Sequence, residues 1–137
     1  MKVKDLMSVN VEFTTHETTT KEAAHQMHDL HVGVLPVIED GKLVGIITDR
    51  DICCKVIATG HGAGWTKVAE VMTTEVHTCF DDQNIGEATR KMINKQIRRL
   101  AVVNHEDEMV GLLSVDDLAR NSHDMASSVL ESVVQLH

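Results

Sequence analysis

Residues 43–52, LVGIITDRDI, return in altered spelling as MVGLLSVDDL at residues 109–118, and the rest of the chain is placed relative to these two stretches. The apolar runs Val44-Gly45-Ile46-Ile47 and Val110-Gly111-Leu112-Leu113 read as strands buried on both faces. A hydroxyl follows each, Thr48 and Ser114, and three residues later comes a carboxylate, Asp51 and Asp117. That spacing predicts a helix start, with the hydroxyl at the N-cap and the acid reaching back from the third helical position. Free backbone N–H groups and the positive end of the helix dipole gather at such a corner, so it can hold an anion such as phosphate. Two corners built alike predict two equivalent pockets.

The repetition extends outward in register. Glu22 falls on Glu87, Asp5 on Glu70, Met7 on Met72, Val11 on Val76, Ala23 on Ala88, Met27 on Met92 and Val37 on Val102. One extra residue in His105-Glu106-Asp107-Glu108, against Asp40-Gly41-Lys42, brings Gly45 onto Gly111, and a hairpin tip tolerates such an insertion. Each copy therefore reads in one order: an amphipathic opening (3–7, 68–72), a brief strand (11–14, 76–79), a helix, two strands joined by a turn (34–38 with 43–47, 99–103 with 109–113), and a second helix ending near Ile57 or Arg120. Thr19 with Glu22, and Asn84 with Glu87, mark the first helix start of each copy. Ala23, Met27 and Leu30 lie on one buried stripe of the first copy. Ala88, Met92 and Lys95 are their counterparts, widened by Ile93 and Ile97. Asp40-Gly41 signals a hairpin that needs positive φ.

These boundaries give repeat 1 at residues 1–59, a linker at 60–66, repeat 2 at 67–120, and a C-terminal amphipathic helix at 121–137 carrying Met125, Val129, Val133 and Leu136. Trp65 is read as an anchor that packs the linker down. Each repeat is too small to bury its own face. The expectation is an α/β (α+β-like) fold: two β-α-β-β-α units packed sheet against sheet about a pseudo-twofold axis, with equivalent clefts where the sheets meet.

Composition bounds the function. The chain has 137 residues, 42% hydrophobic but only 2% aromatic, so its core is aliphatic and offers few platforms for stacking bases. A net charge of −8, from 13 Lys and Arg against 21 Asp and Glu, argues against a nucleic-acid backbone as partner. A single nucleotide needs only a local positive site. No apolar run approaches the roughly 20 residues of a membrane helix. The first ten residues, MKVKDLMSVN, lack a signal peptide's apolar stretch, so a cytoplasmic location is expected. Cys53, Cys54 and Cys79 form no Cys-x-x-Cys and are read as small buried hydrophobes in a reducing compartment. His25, His28 and His31 recur at a spacing that drifts round a helix, and no metal site is expected. Arg90, Lys91, Lys95, Arg98 and Arg99 form the one basic cluster, a solvated surface or an attraction for phosphate.

From Lys2 to Arg120 the sequence resembles a tandem pair of cystathionine-β-synthase (CBS) domains, the Bateman module. The resemblance is carried by Gly45-Ile46-Ile47-Thr48-Asp49-Arg50-Asp51 and Gly111-Leu112-Leu113-Ser114-Val115-Asp116-Asp117, in register with Leu35-Pro36-Val37. With no catalytic domain attached, the chain is similar to stand-alone CBS-pair proteins. The resemblance implies a regulatory adenosine ligand (AMP, ADP, ATP, NAD or S-adenosylmethionine) in one or both inter-repeat clefts, with no required cofactor. It maps ribose recognition to Asp51 and Asp117, and ribose or phosphate contact to Thr48 and Ser114. The base lies beside the backbone of Val34-Leu35, just before Pro36, and of Arg99-Leu100, with Val11 and Val76 as apolar walls. Arg50 adds a fork suited to phosphate. Its partner position is Asp116, a departure that Arg98 and Arg99 partly restore, and Ala101 stands where the family has proline.

One carboxylate can take both donors of a ribose diol, so this chemistry is coherent. The function expected is a non-catalytic sensor that passes ligand binding to an unknown regulated protein through homodimer geometry. The alternative is a ligand-free dimerisation module. No Ser/His/Asp order, phosphate-binding glycine loop or catalytic acid pair supports an enzyme.

Overall fold

The computed structural model describes residues 1–134, so the expected Leu136 lies outside the described residues. The elements are α1 (Thr20–Leu30), β1 (Val34–Glu39), β2 (Lys42–Thr48), α2 (Asp49–Ile52), α3 (Val68–Val71), β3 (Thr78–Phe80), α4 (Ile85–Lys95), β4 (Arg99–Val103), β5 (Met109–Ser114), α5 (Val115–Ala119) and α6 (His123–Val134). A 3-10 turn at Val3–Asp5 precedes them, and a π-turn at Cys53–Ile57 continues α2.

The compact units do not follow the sequence repeats. One unit is residues 12–76; the other joins residues 1–11 to the described residues from 77 onward. Each repeat has given its opening segment to the other's body. In the first unit β1 and β2 form an antiparallel hairpin, and β2 adds a bridge in which Ile46 and Thr73 exchange backbone hydrogen bonds of 2.9 and 2.8 Å. In the second unit β3 runs parallel to β4, β4 antiparallel to β5, and Ser8 and Leu112 exchange bonds of 2.9 and 3.0 Å. The repeated glycine is explained by this approach and not by its φ. A Cβ on Gly45 would stand 2.9 Å from the Thr73 carbonyl, and one on Gly111 would stand 2.8 Å from that of Ser8.

The cores are aliphatic and matched. Ala23, Met27, Leu35, Val37 and Ile47 anchor the first with Val68 and Val71; Ala88, Met92, Leu100, Val102 and Leu113 anchor the second with Val3. Both hairpins carry an irregularity at the same place, between Val37 and Ile38 and between Val102 and Val103. Asp40 and Gly41 both take positive φ, as the turn requires.

The structure corrects several readings. The expected strand at 11–14 is reduced to one bridge, Thr14 with Val37, because Thr14 alone exchanges bonds with β1. Leu30 is exposed, since α1 ends there and His31 takes a left-handed cap conformation (φ 56). Gln96 does the same after α4 (φ 57), so neither helix stops on a glycine. Trp65 is 80% exposed; its indole lies over Gly62 in its own loop and packs on no core. Thr66 provides the anchor, donating to the Gly62 carbonyl while its own carbonyl accepts from Thr20.

Cys53 and Cys54 are exposed as well, because α2 and its π-turn bury only Ile52 and Val56 of their apolar residues. Cys79 is buried in β3, and burial pushes its thiol up to about 11. Titration of the native chain with an aromatic disulfide reagent should therefore consume Cys53 and Cys54 quickly and Cys79 only on unfolding. A third fast thiol would contradict this packing. A folded-state pKa raised above 9.0 also means that the Cys79 contribution to stability is complete below that pH and is lost as pH climbs towards 11.

One exposed pair ties the segment before α3 to the loop before α1. Lys67 donates to Glu17 at 2.8 Å, which lowers the Glu17 carboxyl from its ordinary 4.5 and raises the Lys67 ammonium from 10.5. Its small contribution is present above pH 4.5 and is lost as pH falls through the lowered Glu17 value, and again as pH rises through the raised Lys67 value. Lys67→Met should lower the urea midpoint slightly between those limits, and the difference should vanish in high salt.

Candidate functional site

Both corners form as capping boxes. At the first, the Thr48 N–H donates to Asp51 Oδ2 at 3.0 Å while Thr48 Oγ1 accepts from the Asp51 N–H at 3.0 Å. At the second, the Ser114 N–H donates to Asp117 Oδ2 at 2.8 Å, the Ser114 hydroxyl donates to the same oxygen at 3.1 Å, and Ser114 Oγ accepts from the Asp117 N–H at 3.2 Å. Each corner is pinned from behind: Asp49 N–H donates to the Gly33 carbonyl and Val115 N–H to the Arg98 carbonyl, both at 2.9 Å. Val34 lies directly across the ladder from Thr48, and Arg99 across from Ser114.

The acids are not free. Asp51 is 8% exposed and its Oδ1 meets Lys55 Nζ at 2.9 Å; Lys55 also donates to the Val71 carbonyl at 3.0 Å. Asp117 is 3% exposed, with Oδ1 against the Arg120 guanidinium. The cations that close each site stand one helical turn on, at i+4 and i+3, a spacing visible in the sequence and overlooked there. In each carboxylate one oxygen serves the backbone, and the other is held by a long cationic side chain reaching in from solvent.

The surroundings of the two corners differ. Beside the second lies a recess of about 180 Å³ lined by Arg98, Arg99, Ser114, Val115, Asp116 and Ala119, and closed on one side by Ala126 and Leu130 of α6. Arg98 and Arg99 thus do stand beside Ser114, with Asp116 among them. At the first corner Gly33 replaces Arg98, the Asp49 carboxylate lies against it, and Arg50 is exposed. Leu35, Pro36 and Leu100 are buried in their own units, so only their main chain can face a ligand. Val11 and Val76, both half-buried, are exchanged: Val11 belongs to the unit of Ser114 and Asp117, and Val76 to that of Thr48 and Asp51.

The helix histidines serve other ends. His25 pairs with Asp29 at 3.1 Å, and both line a shallow acidic depression of about 430 Å³ with Glu12 and Glu22 that includes no corner residue. Of the basic cluster, Lys91 is spent on the Thr78 carbonyl. Among the described residues no helix is long and apolar enough to cross a membrane.

Comparison with known proteins agrees with this construction. The family model for the CBS domain matches residues 3–57 and 68–124. The CBS domain-containing protein YhcV of Bacillus subtilis (strain 168) is 38% identical over 133 residues, covering 96% of this chain and 94% of its own. The solved structure of a conserved CBS domain protein, TA0289 of Thermoplasma acidophilum, superposes with a TM-score of 0.83 at 25% identity, over 96% of this chain and 75% of that one. The CBS domain pair of MJ0100, solved in complex with 5-methylthioadenosine and S-adenosyl-L-methionine, matches at a TM-score of 0.76 and 30% identity, over 88% of this chain and 94% of that one.

Proposed function

The chain belongs to the CBS domain family, as a tandem pair, and from that premise we propose that it is a non-catalytic sensor of adenosine-containing ligands. The observation that carries this reading is the corner built twice, each with a buried carboxylate whose second oxygen is paired with a solvent-exposed cationic side chain, Lys55 or Arg120. A ribose diol would take Oδ1 of Asp51 or Asp117 in exchange for Lys55 or Arg120, leaving the capping oxygen undisturbed. The released ammonium or guanidinium then becomes available to the ligand's phosphate, alongside Arg50 at the first corner and Arg98 and Arg99 at the second. Thr48 and Ser114 orient the acids. The backbone of Val34-Leu35 and Arg99-Leu100 lies beside the base, and Val11 and Val76 supply apolar wall. A related pair at 30% identity holds adenosyl compounds, which supports the ligand class. The output is a change of homodimer geometry read by a regulated protein in the cytoplasm.

Calorimetric titration with AMP, ATP, NAD and S-adenosylmethionine tests this. A true ligand at a hundredfold excess over Kd adds about 2.7 kcal/mol to stability, a rise of several degrees in Tm. Absence of both heat and thermal shift with all four would remove the sensor reading.

A second reading is favoured by the engaged acids and by the exposed Leu130 and Val134 of α6: a dimerisation module that needs no ligand. It requires a dimer whose mass by light scattering is the same with and without nucleotide, and a monomer at micromolar concentration would refute it.

A further inference from the structure

The two corners are unequal in one respect that the repeat does not explain. The family match ends at residue 124, so nearly all of α6 lies beyond the repeated pattern, yet α6 supplies a wall of the second recess. Ala126, Val129 and Val133 bury one face of α6 in its unit, and Gln96 Nε2 donates to the Ser132 carbonyl at 3.3 Å. The adjoining face carries Leu130, 42% exposed, at the mouth of the recess. In the other unit, residues 58–66 instead turn back onto the start of α1, where Thr20 and Lys21 donate to Thr66 and Ala63, so Thr48 has no counterpart of α6 within its own unit.

Size gives the consequence. The recess of about 180 Å³ is well below the roughly 300–1,000 Å³ of pockets that enclose a complete small-molecule ligand. Arg99 and Ser114 of its lining are paired in the β4–β5 ladder, and Val115 is buried beside them, whereas Leu130 of α6 is 42% exposed. The wall that can yield is α6, through Leu130. We propose that α6 gates the second corner: with Leu130 and Ala126 in place the recess admits the phosphate end of a ligand beside Arg98 and Arg99, and a whole adenosine nucleotide enters only when the Leu130 face of α6 draws back. This rests on the adenosine reading above and assigns its regulation. Part of the binding free energy at this corner is used to displace α6, so the second corner binds more weakly than the first, and displacement of α6 is the signal.

The experiment is titration of the full chain and of Leu130→Ala with AMP and ATP, together with amide hydrogen exchange across residues 123–134. Alanine favours the helix, and Leu130 is half-exposed, so the variant keeps its fold, which its unfolding midpoint checks. The expected result is a strong and a weak site in the wild type, with the weak site gaining about tenfold in Leu130→Ala, and faster α6 exchange in the saturated wild type. Two sites of equal affinity in the wild type, unchanged in Leu130→Ala and with α6 exchange unaltered, would overturn the gate and leave the adenosine reading standing. No heat with either nucleotide in either protein would overturn the adenosine reading, and the gate with it.

Discussion

Gly111→Ala is expected to lower the unfolding free energy by about 3 kcal/mol, a large share of the 5–15 kcal/mol typical of a domain. The added Cβ would stand 2.8 Å from the Ser8 carbonyl oxygen and 2.7 Å from Met7 Sδ. A thioether can swing aside; a carbonyl in a backbone bridge cannot. Ser8 must withdraw, and the two bonds it exchanges with Leu112 go with it, each worth about 1 kcal/mol. The turn that carries the fully buried Val3 is loosened in turn. Urea denaturation should show a lower midpoint at unchanged slope, and limited proteolysis should cut within residues 1–11 before anywhere else. Adding Met7→Ala should not restore stability, because the obstructing atom belongs to the main chain. Gly45→Ala should act in the same direction through the Thr73 carbonyl at 2.9 Å. A neutral Gly111→Ala would mean that the opening segment does not lie on β5.

Asp117→Ala is expected to cost about 2 kcal/mol, since a nearly buried carboxylate accepts from the Ser114 N–H and hydroxyl and faces Arg120. Asp117→Asn should recover about half of that, because the amide oxygen still accepts from Ser114 while its attraction for Arg120 is gone. Ligand affinity separates the two duties of this acid. Stability follows the capping oxygen, which asparagine retains; ribose recognition follows the charged second oxygen, which it lacks. Asn at either Asp51 or Asp117 should therefore weaken adenosine binding at that corner by about tenfold while sparing much of the fold. Nucleotide affinity unchanged in both Asn variants would withdraw the ribose role and leave two helix caps.

Much of the local construction was legible because it depends on neighbours in sequence. Thr48 with Asp51, and Ser114 with Asp117, announce a capping box within four residues, and the box forms as read. Asp40-Gly41 specifies a turn by backbone sterics alone. Trp65 and the Cys53-Cys54 pair are exposed against expectation for one shared reason: residue type gives an average tendency to burial and not the direction a given position faces. The partners of the two acids are written at helical spacing as well, Lys55 four residues after Asp51 and Arg120 three after Asp117, but spacing alone does not say that a long cationic side chain folds back onto the acid rather than into solvent.

The amino-acid order by itself determined the repeat, the paired strand-to-helix corners and the family to which they belong, since each is written in short-range spacing or in the match of one half to the other. Only the tertiary structure decided which body each opening segment joins, and hence why Gly45 and Gly111 carry no side chain and why Val11 and Val76 change sides. It also decided that α6 walls one recess and that the other unit has no such helix. Those outcomes turn on which free strand edge and which apolar face lie nearest once the chain has collapsed, and residues far apart along the chain carry no local mark of that proximity.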